Sequence, residues 1–490
     1  MSRAQLQVTS AGHTDADVAR PGTAERVHEV AVIGAGLAGL GTAVRLCQHG
    51  IDDLVVLERT DAPGGQWPTE RSGPPAKLYR FSFAPGPEAW QSHRAQEWVS
   101  AYVDHLIATH ALASRMRFRQ HVTAVRFDMA RGRWTINVAG KRNVHARCVV
   151  VATGGAGARA LPEIAGIDSF QGSVLHCADW NRGHELDGRR IALIGSHPDA
   201  IGRVPALAAG AECLKVFQRR PNWIVPRLNG AAGRWIKRLL DPLPDSLHRK
   251  ALLEGHAVIT GERPGGRVLE SIARAHLAHQ VPDRWLRRQL TPETGIGTTP
   301  VVMSNDYYPT LRRDNVKLYT WPIDRLCARG IRSVEGIEHR VDTIVFAPET
   351  PAVGHVCPFP VVGLDGRQLD DDWAAGVRAY KGVNIAGYPN LFFGPASAAD
   401  TARVPAAMTP QIDYIVQGVA TILEYDLRML DVRADTGTAR AGVGRLPGVV
   451  CRKDMTRFIH ADYRAFQRGR ASIRVVRDRS EAPRGAERSA

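Results

Sequence analysis

A glycine-rich segment near the N-terminus has the spacing that a phosphate-binding turn needs. An apolar run leads into Gly34, Gly36 and Gly39, which form the pattern G-x-G-x-x-G, and apolar residues with helical spacing follow. A second apolar run, residues 54–57, ends at Glu58, nineteen residues after Gly39. In this arrangement the glycines let the backbone approach a pyrophosphate, the helix N-terminus offers it N–H groups, and the acid accepts ribose hydroxyls. The segment therefore predicts a strand–turn–helix that binds a dinucleotide.

A second segment of the same kind contains Gly195 and Ser196. Here the second glycine of the pattern is replaced by His197, so a Cβ stands where a pyrophosphate would approach. We therefore expect a weaker site, or one that holds its ligand differently. The next apolar run ends at Arg219 and Arg220, and two guanidinium groups at a strand end suit a phosphate. The alternative is that both arginines are solvated surface residues.

The stretch between these two segments reads F-x-G-x-x-x-H-x-x-x-W. It is formed by Phe170, Gly172, His176 and Trp180. This pattern resembles the fingerprint of the Baeyer–Villiger monooxygenases, flavoproteins that insert oxygen next to a ketone. The alternative is a loop with core aromatic residues and a satisfied surface histidine. The resemblance implies that His176 and Trp180 act in the linker between domains, where they shape the NADPH-bound state rather than contact the substrate.

Further motifs extend this resemblance from about residue 27 to about residue 430. The G-G-x-W loop with Gly65, Gln66 and Trp67 is similar to the loop that covers the flavin in this family, and Gly394 and Pro395 match the turn near the flavin ring. The resemblance implies FAD at the first turn and NADPH at the second, with Arg219 and Arg220 reading the 2′-phosphate and favouring NADPH over NADH.

The fold that the two segments and the resemblance predict is α/β. We expect two Rossmann-like dinucleotide-binding domains, one for FAD and one for NADPH, with a helical insert. The predicted boundaries are a disordered leader at 1–25, the first part of the FAD domain at 26–165, the NADPH domain at 166–345 with its insert at 228–292, the second part of the FAD domain at 346–473, and a basic disordered tail at 474–490.

The chain departs from the family pattern where the oxygen chemistry takes place. The family carries Lys-Arg ahead of paired tyrosines, and the matching residues here are Thr299 and Pro300. The aspartate that orients this arginine is also missing from residues 69–79. Arg71, Lys77 and Arg403 are candidate replacements for the cation, and each of them is alternatively a surface residue.

These losses carry a chemical expectation about oxygen transfer. Reduced flavin adds oxygen to form a C4a-peroxide, which attacks ketones when it is an anion and oxidises nitrogen, sulfur or electron-rich carbon when it is a neutral hydroperoxide. A buried anion needs a paired cation because an unpaired one is costly where the dielectric is low. Without the arginine we expect the neutral form, unless Arg71, Arg403 or another cation replaces it.

Three functions remain open. The first is an FAD- and NADPH-dependent monooxygenase that acts through a flavin C4a-(hydro)peroxide on a small organic molecule, in a tailoring step of secondary metabolism, with molecular oxygen as co-substrate. The second is a flavin-dependent oxidase or dehydrogenase that does not use NADPH. The third is a flavin-binding scaffold that acts through a partner.

Composition excludes several other classes. The net charge is +15, but the basic residues are scattered rather than grouped in a patch, so no nucleic acid is expected. No apolar run is long enough for a membrane helix. The seven cysteines show no C-x-x-C and no metal spacing, which indicates a cytoplasmic protein. His276 and His279 lie three residues apart in the insert, and we expect them to be solvated residues of a helix face rather than metal ligands.

Overall fold

The structure is a computed structural model of the 490-residue chain. It describes residues 26–65, 80–86, 95–154, 164–176, 186–195, 198–227, 266–296, 301–347, 357–374, 378–395, 405–433, 439–440 and 463–467.

The strands of these residues are, in chain order, β1 Val27–Ile33, β2 Leu54–Leu57, β3 Met116–Arg117, β4 Val122–Asp128, β5 Arg133–Val138, β6 Val144–Val151, β7 Ser173–His176, β8 Arg190–Ile194, β9 Cys213–Phe217, β10 Trp223–Val225, β11 Val301–Met303, β12 Val316–Tyr319, β13 Ile323–Cys327, β14 Gly330–Ser333, β15 Glu338–Arg340, β16 Thr343–Phe346, β17 Val361–Val362, β18 Arg378–Ala379, β19 Leu391–Phe393, β20 Leu427–Val432, β21 Ala439–Arg440 and β22 Tyr463–Gln467.

The α-helices of the same residues are α1 Leu37–Gln48, α2 Ala95–Thr109, α3 Pro198–Gly210, α4 Gly266–Gln280, α5 Arg284–Gln289, α6 Tyr307–Leu311, α7 Leu369–Trp373 and α8 Pro405–Glu424.

The first sheet has eight strands in the order β17-β4-β5-β6-β1-β2-β3, with β19 also paired to β6. Its centre is parallel, and Ile33 at the end of β1 lies between Leu57 of β2 and Val151 of β6. Successive residues of β1 alternate between two cores: Val32 packs with α1, α2 and α8, whereas Ile33 packs on the other side with β4, β5 and α7. Both faces are covered, which explains why the β1 and β2 sequences are apolar runs rather than alternating patterns.

The second sheet has five parallel strands in the order β12-β9-β8-β16-β7. It too separates two cores, because Leu193 packs with α3 and α6 while Ala192 packs with Phe217 on the opposite face. The strands of the second sheet fall between β7 and β16 in the chain. The first sheet is therefore built from two parts of the sequence, β1–β6 before this region and β17 and β19 after it. The boundary predicted after residue 345 falls inside β16, whose Phe346 still pairs with Ile194, so the second sheet extends at least that far.

The predicted insert is described in part. Two helices, α4 and α5, occupy residues 266–280 and 284–289, and residues 228–265 lie outside the described ranges. Strand β10 precedes the insert and strand β11 follows it, and the two strands pair in parallel. There Arg227 N–H donates to Asn305 Oδ1 at 2.9 Å, which ties the two crossings together. Among the described helices, none has the length and apolar character needed to span a bilayer.

Candidate functional site

The turn after β1 has the backbone geometry that its glycines predict. Gly34 has φ +108°, and its N–H donates to Leu57 O at 2.8 Å. A Cβ at Gly34 would lie 2.5 Å from Ala152 O, at the end of the neighbouring strand β6. A Cβ at Gly39 would collide with the carbonyl oxygen of Gly34. These two glycines therefore let the turn and the first turn of α1 pack directly against the strand ends.

Gly36 differs from its neighbours because its missing side chain faces open space. It is the N-cap of α1 with φ −72° and ψ 177°, a conformation open to any residue. A Cβ placed there would approach no described atom more closely than the Cα of Gly65, at 3.9 Å. The cap makes no side-chain hydrogen bond, and the first turn of α1 holds no acidic residue. The first N–H groups of this helix thus face a gap that suits an anion.

The G-G-x-W loop closes over this turn. Gly64 pairs with Gly36 in a parallel bridge, and its N–H donates to Ala35 O at 2.9 Å. Gly65 has φ +73°, and a Cβ on it would come within 3.1 Å of the Gly36 Cα. The close approach at Gly65 therefore depends on its having no Cβ.

Glu58 stands at the end of β2, where the sequence predicts the ribose-binding acid. Its Oε2 accepts the Ala35 N–H at 2.7 Å, inside the glycine turn. Its Oε1 accepts both the N–H and the hydroxyl of Thr60 at 2.9 Å. Each carboxylate oxygen has more than one acceptor site, so the group retains capacity for a ribose hydroxyl while these bonds fix its position beside the turn.

Residues far along the chain also border the first glycine turn. Gly394, which follows β19, donates its N–H to Val151 O at 2.8 Å, and a Cβ on it would lie 3.1 Å from the Ala152 Cβ. Gly394 and Pro395 are buried at this edge. The ends of β1, β6 and β19 therefore meet at one edge of the sheet, where parallel α/β sheets bind ligands.

Asn390 holds β19 and the following Gly394 in place, a role that the sequence did not reveal. It has φ +58°, and its Nδ2 donates at 3.1 Å to the carbonyls of both Arg147 and Arg428, while its Oδ1 accepts the Leu430 N–H at 2.8 Å. One side chain thus fixes β19 between β6 and β20. The sequence could have suggested a turn at this position, because asparagine adopts the left-handed backbone region more readily than most residues.

The second turn repeats the first in backbone terms. Gly195 has φ +119°, its N–H donates to Phe217 O at 3.0 Å, and a Cβ on it would collide with Ala347 O. Helix α3 begins at Pro198, three residues after Gly195, just as α1 begins three residues after Gly34. By this spacing, position 197 of the chain corresponds to the open position of Gly36.

Arg219 and Arg220 follow β9 after one intervening residue, Gln218, and both are exposed. Within the described part of the chain, neither guanidinium group makes a hydrogen bond or an ion pair, although the Arg220 carbonyl accepts the Gln218 Nε2–H at 3.3 Å. Their base is rigid, because the buried Gln218 accepts the Tyr307 hydroxyl at 2.5 Å and donates its own N–H to Tyr319 O at 2.9 Å. Two unpaired guanidinium groups therefore stand at a fixed strand end.

His176 is the last residue of β7, half-buried, and paired in register with Phe346 of β16. It therefore lies in the edge strand of the second sheet. The other predicted site residues lie outside the described residues: Gln66, Trp67, Arg71, Trp180, Ser196 and Arg403. The same holds for Lys77, His197, Thr299 and Pro300.

The prediction of a solvated histidine pair in the insert is wrong for His276. It is buried, with Nε2 3.0 Å from Ser304 O and its ring 5.7 Å from that of Tyr308. Burial lowers the pKa of His276 below its usual value. Its role is to pack α4 against the segment around α6. Among the described residues, no cluster of histidine, cysteine, aspartate or glutamate side chains could hold a metal ion.

Comparison with known proteins matches this architecture. Residues 32–106 match the family described as an NAD(P)-binding Rossmann-like domain. A Baeyer–Villiger monooxygenase of Streptomyces coelicolor is 36% identical over 414 residues, covering 80% of this chain and 78% of that protein. A second, from Pseudomonas aeruginosa, is 32% identical over 424 residues, covering 84% and 80%. The chain belongs to the Baeyer–Villiger monooxygenase family. This membership confirms the predicted family and the class of flavin-dependent monooxygenase.

Solved structures of the family have the same fold. A steroid monooxygenase bound to NADP superposes with a TM-score of 0.66 at 26% identity, covering 84% of this chain and 88% of that one. Cyclohexanone monooxygenase from Rhodococcus bound to NADP+ superposes with a TM-score of 0.68 at 24% identity, covering 84% and 87%. The predicted α/β architecture with Rossmann-like dinucleotide-binding domains is confirmed.

Proposed function

We propose that this Baeyer–Villiger family member oxygenates a small organic molecule in a tailoring step of secondary metabolism. As a flavin-dependent monooxygenase of this family it uses FAD and NADPH. The observation that carries the cofactor assignment is the open side of Gly36, a cradle that a single Cβ would fill, beside an uncapped helix N-terminus and the carboxylate of Glu58.

The residues of the first turn fit FAD. Gly36 and the first N–H groups of α1 would face the pyrophosphate, and Glu58 would accept the adenosine ribose hydroxyls. Gly65 would close the loop over the cofactor, and Gly394 with Pro395 would border the flavin end. We propose Gln66 and Trp67 as further parts of the loop that covers it. When bound, the reduced flavin supplies the activation of molecular oxygen.

The second sheet supports a proposed NADPH domain. Gly195 repeats the backbone geometry of Gly34, and Ser196 would lie on the pyrophosphate at the start of α3. Arg219 and Arg220 would bind the 2′-phosphate, and this role is supported by their guanidinium groups having no partner among the described residues. We accordingly propose that the first sheet forms the FAD domain from two parts of the chain, and that the second sheet forms the NADPH domain and carries the helical insert.

For the oxygen-transfer step, we propose oxidation of nitrogen, sulfur or electron-rich carbon in preference to a simple ketone. The support is the uncharged pair Thr299 and Pro300, at the position where the family pattern carries Lys-Arg. Without a cation, a buried anionic oxidant is disfavoured relative to a neutral one. Arg71 and Arg403 remain proposed replacements that would restore the chemistry of ketones. His176 and Trp180 are proposed to act on the NADPH-bound state.

NADPH oxidation measured with and without candidate amines, sulfides, phenols and ketones tests this function. We expect flavin reduction by NADPH, oxygen consumption that increases with a heteroatom or phenol substrate, and an oxygenated product. Rapid mixing of the reduced protein with oxygen across a pH series tests the oxidant, through the flavin absorbance. Conversion of ketones to esters or lactones at neutral pH would contradict the preference for heteroatoms while leaving the monooxygenase assignment intact.

The second candidate, an oxidase or dehydrogenase that takes its hydride from the substrate, is favoured by His197 at the position that corresponds to Gly36. It predicts that neither NADPH nor NADH reduces the flavin.

A cytoplasmic location also remains a proposal. The five described cysteines are Cys47, Cys148, Cys213, Cys327 and Cys357, and all are free thiols, which is compatible with a reducing compartment.

A further inference from the structure

Trp321 is a large apolar side chain exposed to solvent after the strand that pairs with β9. It follows β12 by two residues, and 56% of its surface is exposed. Strand β12 pairs with β9, which ends at Phe217, and Arg219 and Arg220 follow two and three residues later. A tryptophan carries a wide aromatic face, and burying that face against a flat ligand is favourable.

The strand register brings Trp321 and Arg219 to neighbouring positions of the backbone. Strands β12 and β9 are parallel, with Tyr319 opposite Phe217, and the Gln218 N–H to Tyr319 O bond at 2.9 Å continues the pairing one step further. Adjacent strands lie about 4.8 Å apart. Trp321 therefore leaves the sheet at the same edge and at nearly the same level as Arg219.

The base under this edge is well ordered by packing. The rings of Phe217 and Tyr319 stack with centroids 5.1 Å apart and an interplanar angle of 20°, and His339 closes the cluster at 4.3 Å from Tyr319. Because Gln218 is also held by Tyr307, neither strand end can shift without breaking buried contacts. This edge therefore carries two exposed arginines and an exposed tryptophan on a base held by buried contacts.

This combination matches the two neighbouring groups of an adenosine 2′-phosphate. The base is attached to the ribose carbon next to the one that carries the phosphate, so a site that holds the phosphate must also meet the base. Guanidinium groups recognise phosphate, and aromatic side chains stack on bases.

We propose that Trp321 is the stacking surface for the adenine ring of NADPH, next to a 2′-phosphate held by Arg219 and Arg220. The proposal rests on the proposed NADPH site and deepens it by assigning the base as well as the phosphate. In this arrangement Trp321 contributes affinity shared by NADPH and NADH, whereas the arginines discriminate between them.

Calorimetric titration of the FAD-loaded protein with NADP+, NAD+ and adenosine 2′,5′-bisphosphate tests this division. For Trp321→Ala we expect about tenfold weaker binding of all three ligands, because all three contain adenine. Trp321→Phe should retain most of the affinity, since an aromatic face remains. An Arg219→Ala/Arg220→Ala protein should lose affinity for NADP+ and the bisphosphate and change little toward NAD+.

Trp285 offers a matched control, because it is an exposed tryptophan on α5, with 68% of its surface accessible. Trp285→Ala should leave all three affinities unchanged, and flavin absorbance should show full FAD occupancy in every variant. Unchanged binding to Trp321→Ala, with selective loss in the arginine variant, would overturn the adenine assignment and leave the NADPH site standing. Failure of the wild-type protein to bind NADP+ or the bisphosphate would overturn both.

Discussion

Replacing Gly36 with alanine separates cofactor binding from folding. Among the described atoms, the alanine methyl group would meet the Gly65 Cα alone, at 3.9 Å, which is an ordinary van der Waals contact. The backbone at Gly36, with φ −72° and ψ 177°, already suits a residue with a side chain. The fold should therefore accept the change, and the methyl group should occupy the space into which the FAD pyrophosphate is proposed to fit.

The expected free-energy changes are different for folding and for binding. Alanine is a poorer N-cap than glycine by about 0.5–1 kcal/mol, and its lower entropy in the unfolded chain offsets about 0.4–1 kcal/mol of this. The apoprotein should therefore unfold at nearly its original temperature. If the methyl group displaces a pyrophosphate from two backbone N–H groups, at roughly 1.5–3 kcal/mol for each charged hydrogen bond, FAD affinity should fall about 100-fold or more.

The assay combines FAD content and thermal unfolding. The Gly36→Ala protein should purify with little yellow colour and show weak FAD binding by fluorescence titration, while its apoprotein melts close to the wild-type apoprotein. Gly295→Ala is the matched control, because that exposed position also has open space around a Cβ. A Gly36→Ala or Gly36→Val protein that keeps a full complement of FAD would refute the assignment of this turn to the pyrophosphate.

Three further predictions follow from the same geometry. Gly39→Ala should lower the unfolding temperature of the apoprotein by several degrees, measured by calorimetry, because its methyl group would collide with the turn carbonyl. Removing Arg219 and Arg220 together should weaken NADPH by about 2–4 kcal/mol and leave NADH nearly unchanged; equal loss for both nucleotides in flavin-reduction titrations would contradict a 2′-phosphate clamp. His176→Ala and Trp180→Ala should slow flavin reduction in stopped-flow experiments without changing substrate preference, and an altered product spectrum would place them at the substrate instead.

The glycine turns were predictable from sequence because their signals are local. Gly34, Gly36 and Gly39 lie within six residues, and the apolar runs on either side specify a buried strand and a helix without reference to the rest of the chain. Glu58 was predictable for the same reason, since one βαβ unit fixes the distance between the turn and the next strand end. The hydrogen bond from Ala35 to Glu58 is a consequence of that unit, although its geometry needed the structure.

Contacts between distant parts of the chain were not predictable. Asn390 bonds to the Arg147 carbonyl 243 residues away, and nothing near either residue in the sequence indicates that pairing. We expected His276 in solvent because helical spacing shows which residues share a face of the helix but not which face another element covers. Trp321 gave no signal in the sequence, because its exposure and its position next to Arg219 in the sheet follow from the pairing of β12 with β9.

The two glycine turns share one backbone design and differ at one position, and this difference bears on how the enzyme uses its cofactors. Gly34 and Gly195 take the same left-handed conformation, donate to the next strand and lie against the carbonyl of an alanine, Ala152 or Ala347. The first turn keeps a glycine at the open position and can hold a pyrophosphate tightly, as a resident cofactor requires. The sequence has His197 at the corresponding position, so we expect binding at the proposed second site to depend more on the adenosine end. A nucleotide that exchanges at every turnover suits such a division, since affinity concentrated on base and phosphate leaves the nicotinamide end free to enter and leave.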